Sequence, residues 1–452
     1  MTANEHSSIM DLKHSRWQVV LRIRYPVLWR YYQELLKNER LACDELLQLS
    51  LSKRRELLSF SMAHVPYYHR RFAGLDPRDI KSERDWCQLP ILTRQDVVEY
   101  SDDLRTDSAR NVDMLPVTTG GSAGHVLKVY HDRRHALAVL GWRMMHWWGV
   151  SPSVNIATCW RALPDSKGSL RPSALRLWRV ARRRVFLDAS RMNSEDMESF
   201  IARFNIVRPQ ILQGYVGALD ALADFVLDRG MSMYSPKAVW LTAAPVSGPQ
   251  RAKIQKAYGA PAYDQYGCSE VYWLAAECAR QDGLHAFSDA RHIEAVRADG
   301  ASCPTGQVGD VIVTDLENRV FPLIRYRVGD RASILGRTCP CGISLPLISP
   351  VRGRISDNFV LPDGTVIAGE SLTTIFDNVP TALKSFQVVQ KLDQSIEIRV
   401  VVRGGGQQAV ERVVADLRHN VVRHQVPVVL KLVNSIEHDR GKIRYVLREK
   451  LG

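Results

Sequence analysis

PQILQGYVGALDALADFVLDRGMSMYSPKAVWLTAA, residues 209–244, decides the fold. PQILQ (209–213) is a short apolar run, LDALADFVLDRG (219–230) has helical spacing, and KAVWLTAA (237–244) is a second apolar run. Upstream, VNIATCW (154–160) and the helical SEDMESFIARF (194–204) repeat the pattern. Alternating strands and helices imply α/β layers around a largely parallel sheet.

Working outward, residues 1–90 read as mainly helical, with Leu46, Leu47, Leu49 and Leu51 at helical spacing after PVLWRYYQELL. HVPYYHRRFAGLDP (64–77) reads as an aromatic loop. In LPILTRQDVVEY (89–100), Thr93 is the expected N-cap of a helix. SLRPSALRLWRVARRR (169–184) reads as an Arg-rich helix with a solvated face. Residues 301–352 are rich in turns and short strands. Beyond Gly353 the texture changes again. Ile396, Ile398, Val400 and Val402 alternate as in a half-buried strand, Val410, Val413, Val414, Leu417, Val421 and Val422 form a helical stripe, and VPVVLKLV follows as a strand. The expected organisation is a large N-terminal α/β domain, 1–352, and a small α+β C-terminal domain, 353–452.

The chain has 452 residues, 45% hydrophobic and 24% charged, which excludes collagenous and wholly disordered classes. Sixty-one Lys plus Arg against 48 Asp plus Glu give +13, so anionic partners fit: nucleic acid, acidic lipid or phosphorylated small molecules. The N-terminus lacks the apolar core of a secretory signal, and no run of about 18 apolar residues predicts a membrane span. Eight cysteines without an export signal are expected as reduced thiols or metal ligands, and the protein as cytoplasmic.

Thr118-Thr119-Gly120-Gly121-Ser122-Ala123-Gly124 offers backbone N–H groups and hydroxyls to phosphate oxygens, yet lacks the Gly-Lys-Ser/Thr ending of a Walker loop. Downstream, in order, come YDQYGCSE (263–270), LIRYRVGDR (323–331), GRISD (353–357) and GKIRYV (441–446). Together these motifs resemble the AMP-forming adenylating superfamily of acyl-CoA synthetases. HVPYYHRRFAG, LPILTR, LQGYVGALDALADF and CPCG resemble its phenylacetate-CoA ligase/CapK-type branch. The resemblance spans about residues 60 to 450.

It implies an acyl-CoA synthetase-like fold in which the small domain swings as a lid over a large adenylating domain. It also implies that ATP and a carboxylic acid, aryl or related, form an acyl-adenylate with release of pyrophosphate. The acyl group then passes to CoA, a carrier-protein thiol or an amine. Thr119, Gly120, Gly121, Ser122 and Gly124 would grip the β- and γ-phosphates. Tyr266 would lie beside adenine and the acyl pocket, and Glu270 would hold Mg²⁺, a hard cation suited to a carboxylate. Asp330 would accept the ribose hydroxyls. Arg354 would approach the nucleotide, Asp357 would be the hinge, and Lys442 would stabilise charge on the α-phosphate during adenylation. The loop has Gly120 and Ala123 where the family commonly has hydroxyls, which implies weaker side-chain donation to phosphate.

Cys339 and Cys341 form a tight pair, and Cys278 with His285, seven residues apart, completes a Cys₃His set for structural zinc of the kind this branch carries. Free buried thiols are the alternative. Trp142, His146, Trp147, Trp148 and Tyr215 lie where the family builds its acyl pocket; the tryptophans are equally read as core aromatics. A homodimer is compatible with this reading. Two rivals remain: a degenerate adenylating fold kept for binding or assembly, and a basic zinc-bearing nucleic-acid binder. No nucleic-acid module supports the latter.

Overall fold

Strands Val185–Asp188, Ile156–Trp160, Ile211–Tyr215, Ala238–Thr242 and the start of Ala262–Cys268 lie side by side in that order, each pair parallel. Ala238–Thr242 is buried at all five positions, which explains its unbroken apolar run: a parallel strand covered on both faces has no polar side. Helices Ser194–Val207, Val216–Asp228 and Gly248–Tyr258 alternate with these strands. Phe200, Phe204, Leu219 and Leu222 join Leu212 and Leu241 in one core. The helix starts are written locally: Asn193 accepts the Asp196 N–H, and Ser247 and Gln250 form a reciprocal capping box. Gly214 is required by packing, since a Cβ there would sit 2.8 Å from the Cys159 carbonyl oxygen.

The computed structural model describes residues 15, 17–107, 109–119, 127–134, 138–161, 185–351, 358–367, 369–372, 375–376, 379, 382–436 and 446–449. The chain divides into two compact units. One comprises Met1–Val117, Lys128–Val154 and Gln265–Arg352; the other comprises Thr118–Leu127, Asn155–Asp264 and Gly353–Gly452. One division falls between Arg352 and Gly353. The second unit, however, takes the parallel sheet together with the C-terminal segment, tied by paired backbone bonds between Met192 and Val366.

That C-terminal segment has the expected α+β texture. Leu383–Gln390 and Ile396–Val402 pair antiparallel, with Val428–Leu432 parallel to the latter and Val446–Arg448 parallel to the former. Helix Gln407–Asp416 lays Val410 and Val414 onto Phe386, Ile398 and Val400. The stripe continues through a π turn at Leu417–Val421.

In the first unit, helices Pro26–Asn38, Cys43–His64 and Ala138–Trp147 accompany antiparallel strands. The end of Ala262–Cys268 pairs with Tyr272–Glu277, followed by Leu284–Ala286, Leu347–Ile348 and Ile334–Leu335. A separate sheet joins Arg291–Val296, Gly309–Asp315 and Tyr326–Ala332. The sheet expected to be largely parallel is therefore parallel only over its five strands in the second unit. HVPYYHRRFAG is not all loop: Pro66–Arg71 is a helix whose proline occupies the first turn, where its missing N–H costs nothing. The Arg-rich stretch 169–184 lies outside the described residues, as do 1–14.

Part of the positive charge faces inward. Arg54, Arg143, Arg291 and Arg325 are at most 1% exposed, each with a carboxylate partner. Arg143 spans both oxygens of Asp289 at 2.8 and 3.0 Å and also reaches Glu39. Arg54 donates to His292 Nε2 at 3.2 Å, which requires that nitrogen to be unprotonated. Burial, then the guanidinium groups of Arg54 and Arg325, hold the His292 imidazole well below its ordinary range. Its unfolded counterpart titrates at about pH 6.5, so below that pH the unfolded chain binds a proton that the fold refuses. Stability should therefore fall on acidification. His292→Gln should flatten that fall by about 1.4 kcal/mol per pH unit in denaturant midpoints converted to free energy. An unchanged slope in the variant would refute this.

Candidate active site and metal cluster

Three distant motifs meet within the first unit. Leu92 exchanges backbone bonds with Arg325 and Arg327, both 2.9 Å, which clamps LPILTR beside the strand carrying RYRVGD. Thr93 caps the next helix by accepting the Asp96 N–H at 3.1 Å, as its sequence predicts. The cap fixes Arg94, whose guanidinium donates to Glu270 Oε1 at 3.4 Å, and Tyr326 Oη donates to the same oxygen at 3.3 Å. Glu270 is 6% exposed. One carboxylate oxygen of Glu270 is therefore anchored from two sides.

The strand that carries Glu270 turns tightly. A Cβ on Gly267 would lie 2.4 Å from the Tyr272 carbonyl oxygen, so YGCSE needs glycine at its second position. His131 Nε2 lies 2.8 Å from the Ser269 carbonyl, and burial holds that imidazole below its ordinary range, consistent with a neutral ring donating its N–H. Tyr266 Oη donates to Asp330 Oδ2 at 3.2 Å. Burial, then the Asp330 carboxylate, raises the Tyr266 phenol well above its ordinary range, and burial with Glu270 does the same to Tyr326. Both therefore act as neutral donors. The Cys268 thiol is also raised, by burial and then by Glu270, so it is no thiolate nucleophile. Asp330 is half-buried and Tyr266 buried, which leaves the carboxylate within reach of a ligand.

The structure thus brings Tyr266, Glu270 and Asp330 together. Thr119 ends the strand Met114–Thr119, which neighbours Leu127–Asp132 in a two-stranded sheet. The glycine-rich segment falls between them. Gly120, Gly121, Ser122 and Gly124 lie outside the described residues, as do Arg354, Asp357 and Lys442. Nothing local in the sequence links Arg94 to a carboxylate 176 positions away, or marks Tyr326 as its companion. Removing Arg94 leaves a buried carboxylate without its cation, at a cost of about 3–5 kcal/mol. Arg94→Ala should lose that much stability, and adding Glu270→Gln should recover part of it. Additive losses in chemical denaturation would show that the pair is not coupled.

The aromatic residues divide differently. Trp147 donates to Glu39 Oε2 and Trp148 to the Glu277 carbonyl, both at 2.8 Å, and both indoles are buried. Trp142 packs edge-on against Trp17 and Tyr32, with ring centres 5.2 and 6.0 Å away. His146 is exposed. Tyr215 belongs to the second unit, where it lies against Trp160 at 4.4 Å. Trp147 and Trp148 are thus core aromatics, whereas Trp142 is half-buried.

The four proposed zinc ligands converge. Their ligand atoms all lie within 4.8 Å of one another. Cys278 and Cys339 sulfurs are 3.7 Å apart, and Cys341 Sγ is 3.4 Å from His285 Nε2. A tetrahedral zinc with Zn–S near 2.3 Å sets neighbouring sulfurs about 3.8 Å apart, so the cluster fits that ion. His285 Nδ1 lies 3.0 Å from the Leu345 carbonyl, a donation that leaves Nε2 to face the sulfurs. Backbone N–H groups of Arg280 and Ile343 donate to Cys278 and Cys341, each at 3.4 Å. Burial pushes the Cys278 thiol up to about 12, a penalty that a bound cation reverses by favouring thiolate.

Comparison with known proteins gives a consistent picture. Residues 359–449 match the CapK C-terminal domain family. The chain is 22% identical over 400 residues to Protein CapK of Staphylococcus aureus, covering 85% of this chain and 84% of that protein. It is 23% identical over 453 residues to phenylacetate-coenzyme A ligase of Thermus thermophilus, covering 90% and 98%. Among solved structures, 2-hydroxyisobutyryl-CoA ligase in complex with 2-HIB-AMP and CoA superposes with a TM-score of 0.64 at 20% identity, covering 91% of this chain and 92% of that one. The fold is that of the two-domain acyl-CoA synthetases.

Proposed function

We propose that this chain, an AMP-forming ligase of the phenylacetate-CoA ligase/CapK-like branch, activates an aryl or related carboxylic acid in the cytoplasm and passes the acyl group to CoA. What supports the reading is the convergence of LPILTR, YGCSE and RYRVGD on one cluster holding Glu270, Asp330, Tyr266, Arg94 and Tyr326. An acid oxygen attacks the α-phosphorus of ATP and pyrophosphate leaves; a thiol then attacks the acyl carbon and AMP leaves. Asp330 accepts the ribose hydroxyls, with Tyr266 Oη orienting its carboxylate. Thr119, Gly120, Gly121, Ser122 and Gly124 bind the phosphates. Glu270, aimed by Arg94 and Tyr326, holds Mg²⁺, which neutralises phosphate charge when bound. Residues from 353 onward form the moving lid, with Arg354 approaching the nucleotide, Asp357 as pivot and Lys442 brought in for the first half-reaction. Cys278, His285, Cys339 and Cys341 hold structural zinc; with four protein ligands no coordination position is left open for chemistry.

The test is acid-dependent exchange of labelled pyrophosphate into ATP across aryl, hydroxy, fatty and amino acids. Exchange with one acid class, lost in Asp330→Ala, supports the reading. Silence across the panel overturns it in favour of an adenylating fold kept for binding or assembly.

A further inference from the structure

Between Lys13 and Glu34 the sequence has no acidic residue and four arginines: Arg16, Arg22, Arg24 and Arg30. Residues 17–24 are helical and lead through Tyr25 into the helix Pro26–Asn38. The helical path crosses the proline: Tyr25 N–H donates to the Leu21 carbonyl at 2.9 Å, and Trp29 N–H to Tyr25 at 3.1 Å. One side packs inward, with Trp17, Leu21, Tyr32 and Leu35 all buried. Val19, Ile23 and Val27, four residues apart, are 53%, 78% and 60% exposed. Arg22, Arg24 and Arg30 are exposed around that row, and Arg22 lies over the half-buried Trp29 ring at 5.9 Å.

A helix face meeting only water would carry polar residues where these aliphatics stand. Apolar residues framed by arginine, with an indole at the margin, suit the boundary between headgroups and acyl chains. A nucleic acid would engage the arginines but leave the aliphatic row wet. A second copy across a two-fold axis would bring the same arginines face to face. Among these partners, the charge selects an anionic lipid. We propose that Val19, Ile23 and Val27, framed by Arg22, Arg24 and Arg30, rest on an anionic lipid surface and hold the protein peripherally at a membrane. No helix among the described residues is long and apolar enough to cross one. The proposal does not depend on the chemistry proposed above.

The experiment is co-sedimentation of the full chain with vesicles of phosphatidylcholine plus phosphatidylglycerol, and with phosphatidylcholine alone. Binding should require the anionic lipid and weaken with added salt. Arg22→Gln and Arg30→Gln should each lower the partition coefficient about fivefold. The double substitution Ile23→Ser, Val27→Ser should lower it about tenfold at unchanged charge. All of these positions are exposed, so melting temperatures in buffer should match the parent and separate lipid loss from misfolding. The proposal is overturned by equal sedimentation with both vesicle types or with neither, or by serine variants that bind as the parent does. It is also overturned if the parent is a dimer in buffer that the serine variants dissociate, which would assign the face to a second copy.

Discussion

Lys442→Ala should slow adenylate formation about a hundred- to a thousandfold while leaving thioester formation from supplied acyl-adenylate near its normal rate. Preorganised charge contacts of this kind are worth roughly 2.7–4 kcal/mol in the transition state. The assignment rests on the motif GKIRYV alone. In the proposed rotation of the small domain the lysine would serve only the first half-reaction, which makes the expected effect selective. Equal slowing of both half-reactions, measured separately by pyrophosphate release and by CoA thioester formation, would remove Lys442 from that role.

The second large effect is on metal and fold together. Purified protein should hold about one zinc per chain, and Cys339→Ser or Cys341→Ser should bring that near zero. A structural zinc site contributes folding free energy directly, so losing it costs on the order of several kcal/mol. For a chain of this size that is a fall in melting temperature of about 10 °C. Chelator treatment of the parent protein should reproduce the fall, and Cys43→Ser, at an exposed cysteine outside the cluster, should not. A metal-free parent with an unchanged melting curve in the Cys339 variant would refute the zinc assignment.

Local signals made much of the fold readable. The stretch 209–244 has strand, helix and strand where its apolar spacing puts them, and Thr93 caps its helix through its own side chain. HVPYYHRRFAGLDP reads as an aromatic loop, yet Pro66 opens a short helix, because the first turn accepts a proline. Strand direction was not readable in Tyr272–Glu277 or Leu284–Ala286. Both are mostly buried, so they look alike in either a parallel or an antiparallel setting.

The site was legible by motif and not by pairing. Glu270 and Asp330 stand out within YGCSE and RYRVGD, whereas the partners that orient them, Arg94, Tyr326 and Tyr266, are set by tertiary packing. Buried arginines were invisible for the same reason. Nothing around Arg143 in the sequence indicates that Asp289 lies against it, 146 positions away. Net charge therefore overstates how much positive surface the protein presents to an anionic substrate.

The central claim is that a carboxylic acid is joined to AMP before it reaches its acceptor. The direct measurement uses acids labelled with heavy oxygen in the carboxylate, incubated with the protein, ATP and CoA, followed by mass analysis of the nucleotide product. An acyl-adenylate places a carboxylate oxygen on the α-phosphorus, and thiol attack at the acyl carbon leaves it there. The account predicts AMP carrying one heavy oxygen for every thioester formed. ADP as the nucleotide product, or unlabelled AMP alongside the thioester, would contradict it.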